Sequence, residues 1–212
     1  MKKRLLGYYD YTVVLTYCGM LSAMGGILRV LQDDFLGGVI FLMVAGVCDM
    51  FDGAVASTKA RSDSEKCFGI QIDSLSDLIS FGVLPGLFVY RMMDQCRSSG
   101  FLAAGFVLCA LIRLAYFNVL EAERQKETTE HRKSYLGVPV TTIALLLPAA
   151  YLLYDMDIVH TRAIFPLLMI LTAAGFLSTI EIKKPYKWGK VAMLALGIGE
   201  LIGLLVRMGA RL

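Results

Sequence analysis

The chain is an almost unbroken succession of apolar stretches, each about as long as a membrane-spanning helix. They cover residues 11–31, 35–57, 68–90, 101–120, 138–154, 163–180 and 191–208, and one span needs about 20 such residues. Within 212 residues this leaves only short joints. The sequence therefore predicts an all-α, polytopic helical membrane protein of about seven transmembrane helices (range six to eight), forming a single integral membrane domain over residues 1–212. Hydrophobic residues make up 57% of the chain and charged residues 18%, with a mean hydropathy of +0.63. A soluble domain has roughly 45–50% and about 25%. That excludes a large soluble catalytic domain, a disulfide scaffold and a disordered regulator. Any chemistry falls to residues on the helices or in the joints.

The net charge of +3 is too small to argue for a nucleic-acid partner. The placement of the basic residues says more. With the N-terminus on the cytoplasmic side, fourteen Lys and Arg fall in cytoplasmic segments, among them Lys59 and Arg61. Four (Arg91, Arg97, Arg162 and Arg211) fall on the other side, and Arg29, Arg113 and Arg207 fall within spans. The positive-inside rule then fixes the orientation, with the joint between spans two and three facing the cytoplasm of a multi-pass cell-membrane protein. The basic start followed by an apolar stretch lacks a small-residue cleavage site, so a retained first helix is expected. The five cysteines show no CxxC spacing and are expected as small apolar packing residues.

Spans two and three and their joint read CDMFDGAVASTKARSDSEKCFGIQIDSLSDLISFGVLP. Asp49 and Asp52 are three apart and share a helix face; Asp73 and Asp77 are four apart and share another. A short cytoplasmic joint makes the two helices antiparallel neighbours, so all four carboxylates can converge just inside the interface. Four like charges at a low-dielectric boundary repel and are costly to desolvate. Divalent cations remove both costs, and an oxygen-only ligand set favours Mg²⁺ or Mn²⁺. Two such ions about 3.5–4 Å apart suit a displacement at phosphorus. Gly53, Ala56, Ser57 and Gly69 leave room for a substrate beside the backbone. Two rivals stand beside this reading: acids that merely cap helix ends in water, and a proton or cation pathway. The first gives no reason for paired spacing on adjoining helices, and the second expects acids distributed across the bilayer.

At these residues the chain resembles the CDP-alcohol phosphotransferases, whose signature is D-x2-D-G-x2-A-R-x8-G-x3-D-x3-D. Asp49, Asp52, Gly53, Ala56, Gly69, Asp73 and Asp77 match it in order. Within that family IDSLSDLISFGVLP, RLAYFN and YLGVPVTT are similar to segments of the phosphatidylserine synthases (CDP-diacylglycerol–serine O-phosphatidyltransferases). Two departures stand out. Ser57 takes the place of the family arginine, and eleven residues rather than eight separate it from Gly69. If the helix continues past Ser57, Arg61 lies one turn beyond it and its guanidinium can reach back to the same phosphate. The plainer alternative makes Arg61 and Lys59 ordinary positive-inside residues.

The resemblance implies attack by an alcohol on the β-phosphorus of CDP-diacylglycerol with loss of CMP, and a homodimer. It implies that Asp49, Asp52 and Asp73 hold metal, and that Asp77 is both the general base and a contact to a second ion. Gly53, Ala56, Ser57, Arg61 and Gly69 would receive the CDP-lipid. A carboxylate is a weak base toward an alcohol unless coordination lowers the alcohol's pKa or burial raises its own. Arg113, near the cytoplasmic end of span four, is expected either to pair with the carboxylate of an acceptor serine or to pack between helices. Glycerol 3-phosphate or an inositol phosphate as acceptor would call for several basic residues in the pocket. A cation-coupled transporter is the remaining alternative. The mixed-charge stretch 121–133 reads as a solvated connection, residues 183–190 as an interfacial anchor, and His131 and His160 as remote from the aspartates. Glu200, inside span seven, has no evident role.

Overall fold

A computed structural model describes residues 6–127, 134–183 and 187–209. Its helices are α1 (Val14–Leu31), α2 (Phe35–Ala56), α3 (Asp63–Asp77), α4 (Leu84–Met92), α5 (Arg97–Glu127), α6 (Ile143–Asp155), α7 (Ile164–Leu177) and α8 (Lys187–Gly209). α3 and α4 form one rod, so the eight helices make seven rods among the described residues. α1 with its leading turn, α2, the α3–α4 rod and α5 are long and apolar enough to cross a membrane. α6 and α7 are apolar but shorter, and α6 begins with a tight 3-10 turn at Val140–Thr142. This is an all-α membrane-embedded bundle.

Small residues decide how α1 and α2 pack. Thr16, Gly19, Ser22, Ala23, Gly26 and Val30 line the buried face of α1 at helical spacing. A Cβ on Gly26 would stand 3.3 Å from the Gly38 carbonyl oxygen, so the glycine permits close backbone approach. Asp34 begins α2 by accepting a hydrogen bond from the Gly37 N–H at 2.8 Å. In the α3–α4 rod the ladder widens to a π-type turn over Leu78–Val83. Pro85 explains the site of that widening: it has no N–H to give to the Phe81 carbonyl, and its ring crowds that oxygen.

The end of the bundle that holds the α1–α2 and α6–α7 joints is locked by aromatic rings and ion pairs. Phe88 meets Phe35, Tyr151 and Phe165 with ring centroids 5.3, 5.8 and 5.8 Å apart. Around it Arg91 pairs with Asp33 at 2.7 Å, Arg162 with Asp94 at 3.1 Å and Arg207 with Asp155 at 2.7 Å. Arg29 and Arg207, expected within spans, lie in the last turns of α1 and α8 on this side, where Arg29 reaches Asp34 at 3.5 Å.

Several boundaries differ from expectation. The third span begins at Asp63, because Ser62 and Glu65 form a capping box that starts the helix in polar sequence. α5 runs on to Glu127, its polar end braced by an Arg124–Glu121 pair at 2.5 Å. Residues 128–133, which carry His131 and the last six residues of the expected solvated connection, lie outside the described residues, as do residues 184–186 of the expected anchor. His160 sits in the α6–α7 joint against Asp157 at 2.8 Å. Only Cys48 and Cys109 take the expected half-buried packing positions; Cys18, Cys67 and Cys96 are exposed.

A two-stranded antiparallel pairing of Ser134–Leu136 with Glu181–Lys183 is also present, which apolar periodicity does not foretell. It leads into Gly137, at a φ of +68°. A Cβ there would lie 2.6 Å from the Ser178 carbonyl oxygen and 2.8 Å from that of Gly175. Neither backbone oxygen can swing away. Gly137→Ala is therefore expected to destabilise the protein by about 2 kcal/mol or more, read as a lowered melting temperature in detergent. An unchanged melting temperature would mean that the turn relaxes.

Candidate functional site

Asp49 and Asp52 leave one face of α2 near its C-terminal end, and Asp73 and Asp77 leave one face of α3. α2 and α3 meet across a cleft, with α1 as the packing partner of both. The cleft has an empty volume of about 190 Å³. Its walls are the four aspartates, Leu15, Thr16 and Gly19 of α1, Ala45 of α2, Ser76 of α3, and Ser80 and Phe81 of the π-type turn. Oxygens of Asp49, Asp52 and Asp73 lie within 4.8 Å of one another. Across the cleft the carboxyl of Asp49 comes within hydrogen-bonding reach of Asp77, and that of Asp52 within reach of Asp73. Asp77 is the most deeply enclosed of the four.

Two such contacts between carboxylates need positive charge or protons between them. Among the described residues no Lys or Arg pairs with any of the four aspartates. The donor set is oxygen only and includes three converging carboxylates, so it fits a hard divalent metal ion.

α1 contributes a residue that spacing within α2 and α3 does not reveal. The Thr16 hydroxyl donates to Asp52 Oδ2 at 3.2 Å, and the Thr16 carbonyl accepts from the Ser76 hydroxyl at 3.3 Å. Thr16 thus joins α2 to α3 through α1, orienting an acid 36 residues away in sequence. On the opposite flank, the Ser74 hydroxyl donates to Asn118 Oδ1 of α5 at 2.8 Å. The only advance signal for either residue is a hydroxyl or amide in an otherwise apolar helix.

The structure changes the expected route of Arg61. α2 stops at Ala56, with Ser57 as its C-cap and the Ser57 hydroxyl donating to the Ala54 carbonyl at 2.7 Å. Arg61 therefore does not reach back along a continuing helix. It comes from the joint instead, and its Nη1 sits 3.1 Å from the place a Cβ of Gly69 would occupy. Gly69 lies one turn before Asp73, about 6 Å along the axis. A would-be Cβ on Gly53 meets nothing within 4 Å, and Ala56 is half-buried at the end of the same helix. Lys59 is more than a free surface cation: it pairs with Asp10 at 2.7 Å and lies 3.6 Å from Glu65.

Arg113 does not line the cleft. Its Nη1 donates to the Leu136 carbonyl at 2.9 Å. Contacts of Ser74 with Asn118, and of the Gly82 position with Ala110, fix how α5 runs beside the rod and place Arg113 near the depth of Asp77. Glu200 faces the bundle far along the chain from the four aspartates, with its Oε2 enclosed and lacking a hydrogen-bond partner among the described residues.

The family model for CDP-alcohol phosphatidyltransferase matches residues 12–198. The chain is 40% identical over 114 residues to the CDP-diacylglycerol–serine O-phosphatidyltransferase of Saccharomyces cerevisiae, covering 52% of this chain and 40% of that one. It is 36% identical over 137 residues to the archaetidylserine synthase of Methanothermobacter thermautotrophicus, covering 63% and 55%. To the CDP-diacylglycerol–serine O-phosphatidyltransferase of Methanocaldococcus jannaschii it is 34% identical over 132 residues, covering 62% and 56%. The chain spans about half the length of these curated relatives. The match begins within the turn before α1 and runs into α8, taking in every helix that borders the cleft: the chain belongs to the CDP-alcohol phosphatidyltransferase family.

Proposed function

We propose that this protein transfers the phosphatidyl group of CDP-diacylglycerol to the hydroxyl of serine, giving phosphatidylserine and CMP. The observation that carries the chemistry is the convergence of four aspartates from α2 and α3 on one cleft, with no Lys or Arg among the described residues paired to them. The acceptor is supported by the names of the relatives. The activity is assigned to one membrane domain over residues 1–212, working as a homodimer in the cell membrane. The Lys and Arg asymmetry supports placing the cleft on its cytoplasmic side.

In this reading Asp49, Asp52 and Asp73 hold Mg²⁺ or Mn²⁺, with Asp77 at the border of the set. Bound metal supplies charge neutralisation of the diphosphate and of the departing phosphate oxygen. Asp77 accepts the serine hydroxyl proton as the serine oxygen bonds to the β-phosphorus. The bond from that phosphorus to the CMP oxygen breaks, and CMP leaves with the electron pair. Gly53, Ala56 and Gly69 keep the nucleotide side of the cleft open, Ser57 closes the end of α2 beside it, and Arg61 meets the diphosphate over Gly69. Arg113, near the depth of Asp77 though outside the walls of the cleft, is the residue we assign to the serine carboxylate. The acyl chains leave between helices into lipid.

The deciding experiment offers the purified protein labelled CDP-diacylglycerol with serine, glycerol 3-phosphate or inositol, each with and without Mn²⁺ or Mg²⁺. Labelled phosphatidylserine only with serine and metal is the expected result. Product with another acceptor alone would reassign the acceptor. Cation flux without CMP release would replace the enzyme by a transporter.

Thr16 gives a second expectation. Thr16→Val keeps the shape and removes the hydroxyl that orients Asp52. The metal concentration for half-maximal activity should rise about tenfold, the cost of losing a group that orients a metal ligand. A titration that superimposes on that of the native protein would take Thr16 out of the site.

A further inference from the structure

The segment before α1 lies across the joint between α2 and α3, and three contacts pin it there. Tyr8 meets Phe68 with ring centroids 5.4 Å apart, one residue before Gly69. The Lys59 ammonium donates to Asp10 Oδ2 at 2.7 Å. The hydroxyls of Tyr11 and Thr58 share a hydrogen bond at 3.1 Å. Asp10 is itself held from behind, since its Oδ1 accepts from the Thr12 N–H at 2.8 Å and from the Thr12 hydroxyl.

Arg61 is bracketed by this arrangement. Two residues before it, Lys59 is tied to Asp10. Immediately after it, Ser62 is fixed by the capping box: its N–H donates to Glu65 Oε2 at 2.8 Å, and Glu65 in turn lies 3.6 Å from Lys59. Untied, a six-residue joint would offer Arg61 many backbone and side-chain states, each diluting the one over Gly69. The Lys59 ammonium, followed by Thr12, holds the Asp10 carboxyl down to about 2. A lowered carboxyl stabilises the clasp above the ordinary carboxylate range and is lost only as pH falls through about 2, so the clasp is intact throughout the neutral range.

We propose that Asp10 and Lys59 are positioning residues: by clasping the segment before α1 to the α2–α3 joint they hold the Arg61 guanidinium over Gly69 at the mouth of the acid cleft. This rests on the reading of Arg61 as the diphosphate contact. Neither Asp10 nor Lys59 touches substrate; both act through Arg61.

The test is the steady-state dependence on CDP-diacylglycerol of the full chain in mixed micelles, for Arg61→Ala, Lys59→Met, Asp10→Asn, Lys59→Arg and the double variant Lys59→Met/Arg61→Ala. Arg61→Ala should raise KM about 30-fold, as loss of a charge-assisted phosphate contact. Lys59→Met and Asp10→Asn should each raise it about tenfold with kcat within about twofold, because misplacing a positioned group weakens binding. The double variant should match Arg61→Ala alone, and Lys59→Arg should restore KM. If Arg61→Ala is large and Lys59→Met leaves KM unchanged, the clasp proposal fails while the arginine reading stands. KM increases that multiply in the double variant, or a fall in kcat without a KM change, overturn it as well. If Arg61→Ala itself has no effect, the reading beneath the proposal is the part that fails.

Discussion

Asp77→Asn is expected to lower turnover by about 10³-fold while leaving CDP-diacylglycerol binding within about threefold of native, the loss expected for removing a positioned general base. The amide has nearly the shape of the carboxylate and still hydrogen-bonds, but it cannot take up the acceptor's proton. Binding should survive for a structural reason. Asp49, Asp52 and Asp73 form the converging set, whereas Asp77 sits deeper and meets that set at Asp49. Removing the innermost of four like charges also relieves repulsion within the cluster. Single-turnover product formation and binding of labelled CDP-diacylglycerol, measured on the same preparation, separate the two effects. Turnover near native would remove Asp77 as the base. A parallel collapse of metal affinity would make it a metal ligand instead.

The course of the bundle was legible because lipid imposes one rule on every span, a long apolar run with its backbone satisfied internally. The ends were less so. The third span was expected from residue 68, yet the capping pair Ser62 and Glu65 starts it at Asp63, in sequence too polar for a hydropathy argument to claim. The polar tail of α5 is helical for a similar reason, since Arg124 and Glu121 brace one another on adjacent turns. The wide turn after Asp77 depends on where Pro85 meets the ladder, and the two three-residue strands are fixed by a partner nearly fifty residues away. Neither leaves a periodic trace.

At the candidate site, spacing carries geometry only within a helix. It placed Asp49 with Asp52 and Asp73 with Asp77, and an antiparallel pair of helices then had to bring the two faces together. It could not say that α1 stands beside both helices, because that depends on how each is rotated. Thr16, and Ser74 as the partner of Asn118, were missed on this account. For Arg61 the structure revises the route that the sequence suggested. Its guanidinium does lie over Gly69, but α2 has already ended at Ala56, and the longer joint carries the arginine there.

The largest effect is expected from withdrawing the metal. Treating the purified protein with EDTA should reduce phosphatidylserine formation to background, with recovery on adding excess Mg²⁺ or Mn²⁺. The cleft gathers four carboxylates from two facing helices, and no Lys or Arg among the described residues pairs with them. A diphosphate brought to that surface meets charge of its own sign in a medium that screens poorly. Stripped of metal, the aspartates should thus repel the substrate as well as lose the electrophilic help that displacement at phosphorus needs. The two losses separate experimentally. Asp49→Asn removes one charge and one ligand, so it should shift the metal requirement upward by about tenfold or more while preserving activity at saturating metal better than Asp77→Asn does. Calcium should support binding in place of Mg²⁺ but little turnover, because its looser and longer coordination places the reacting oxygens poorly. Full activity after exhaustive chelation, verified by metal analysis of the assayed protein, would leave the four aspartates without the role proposed for them.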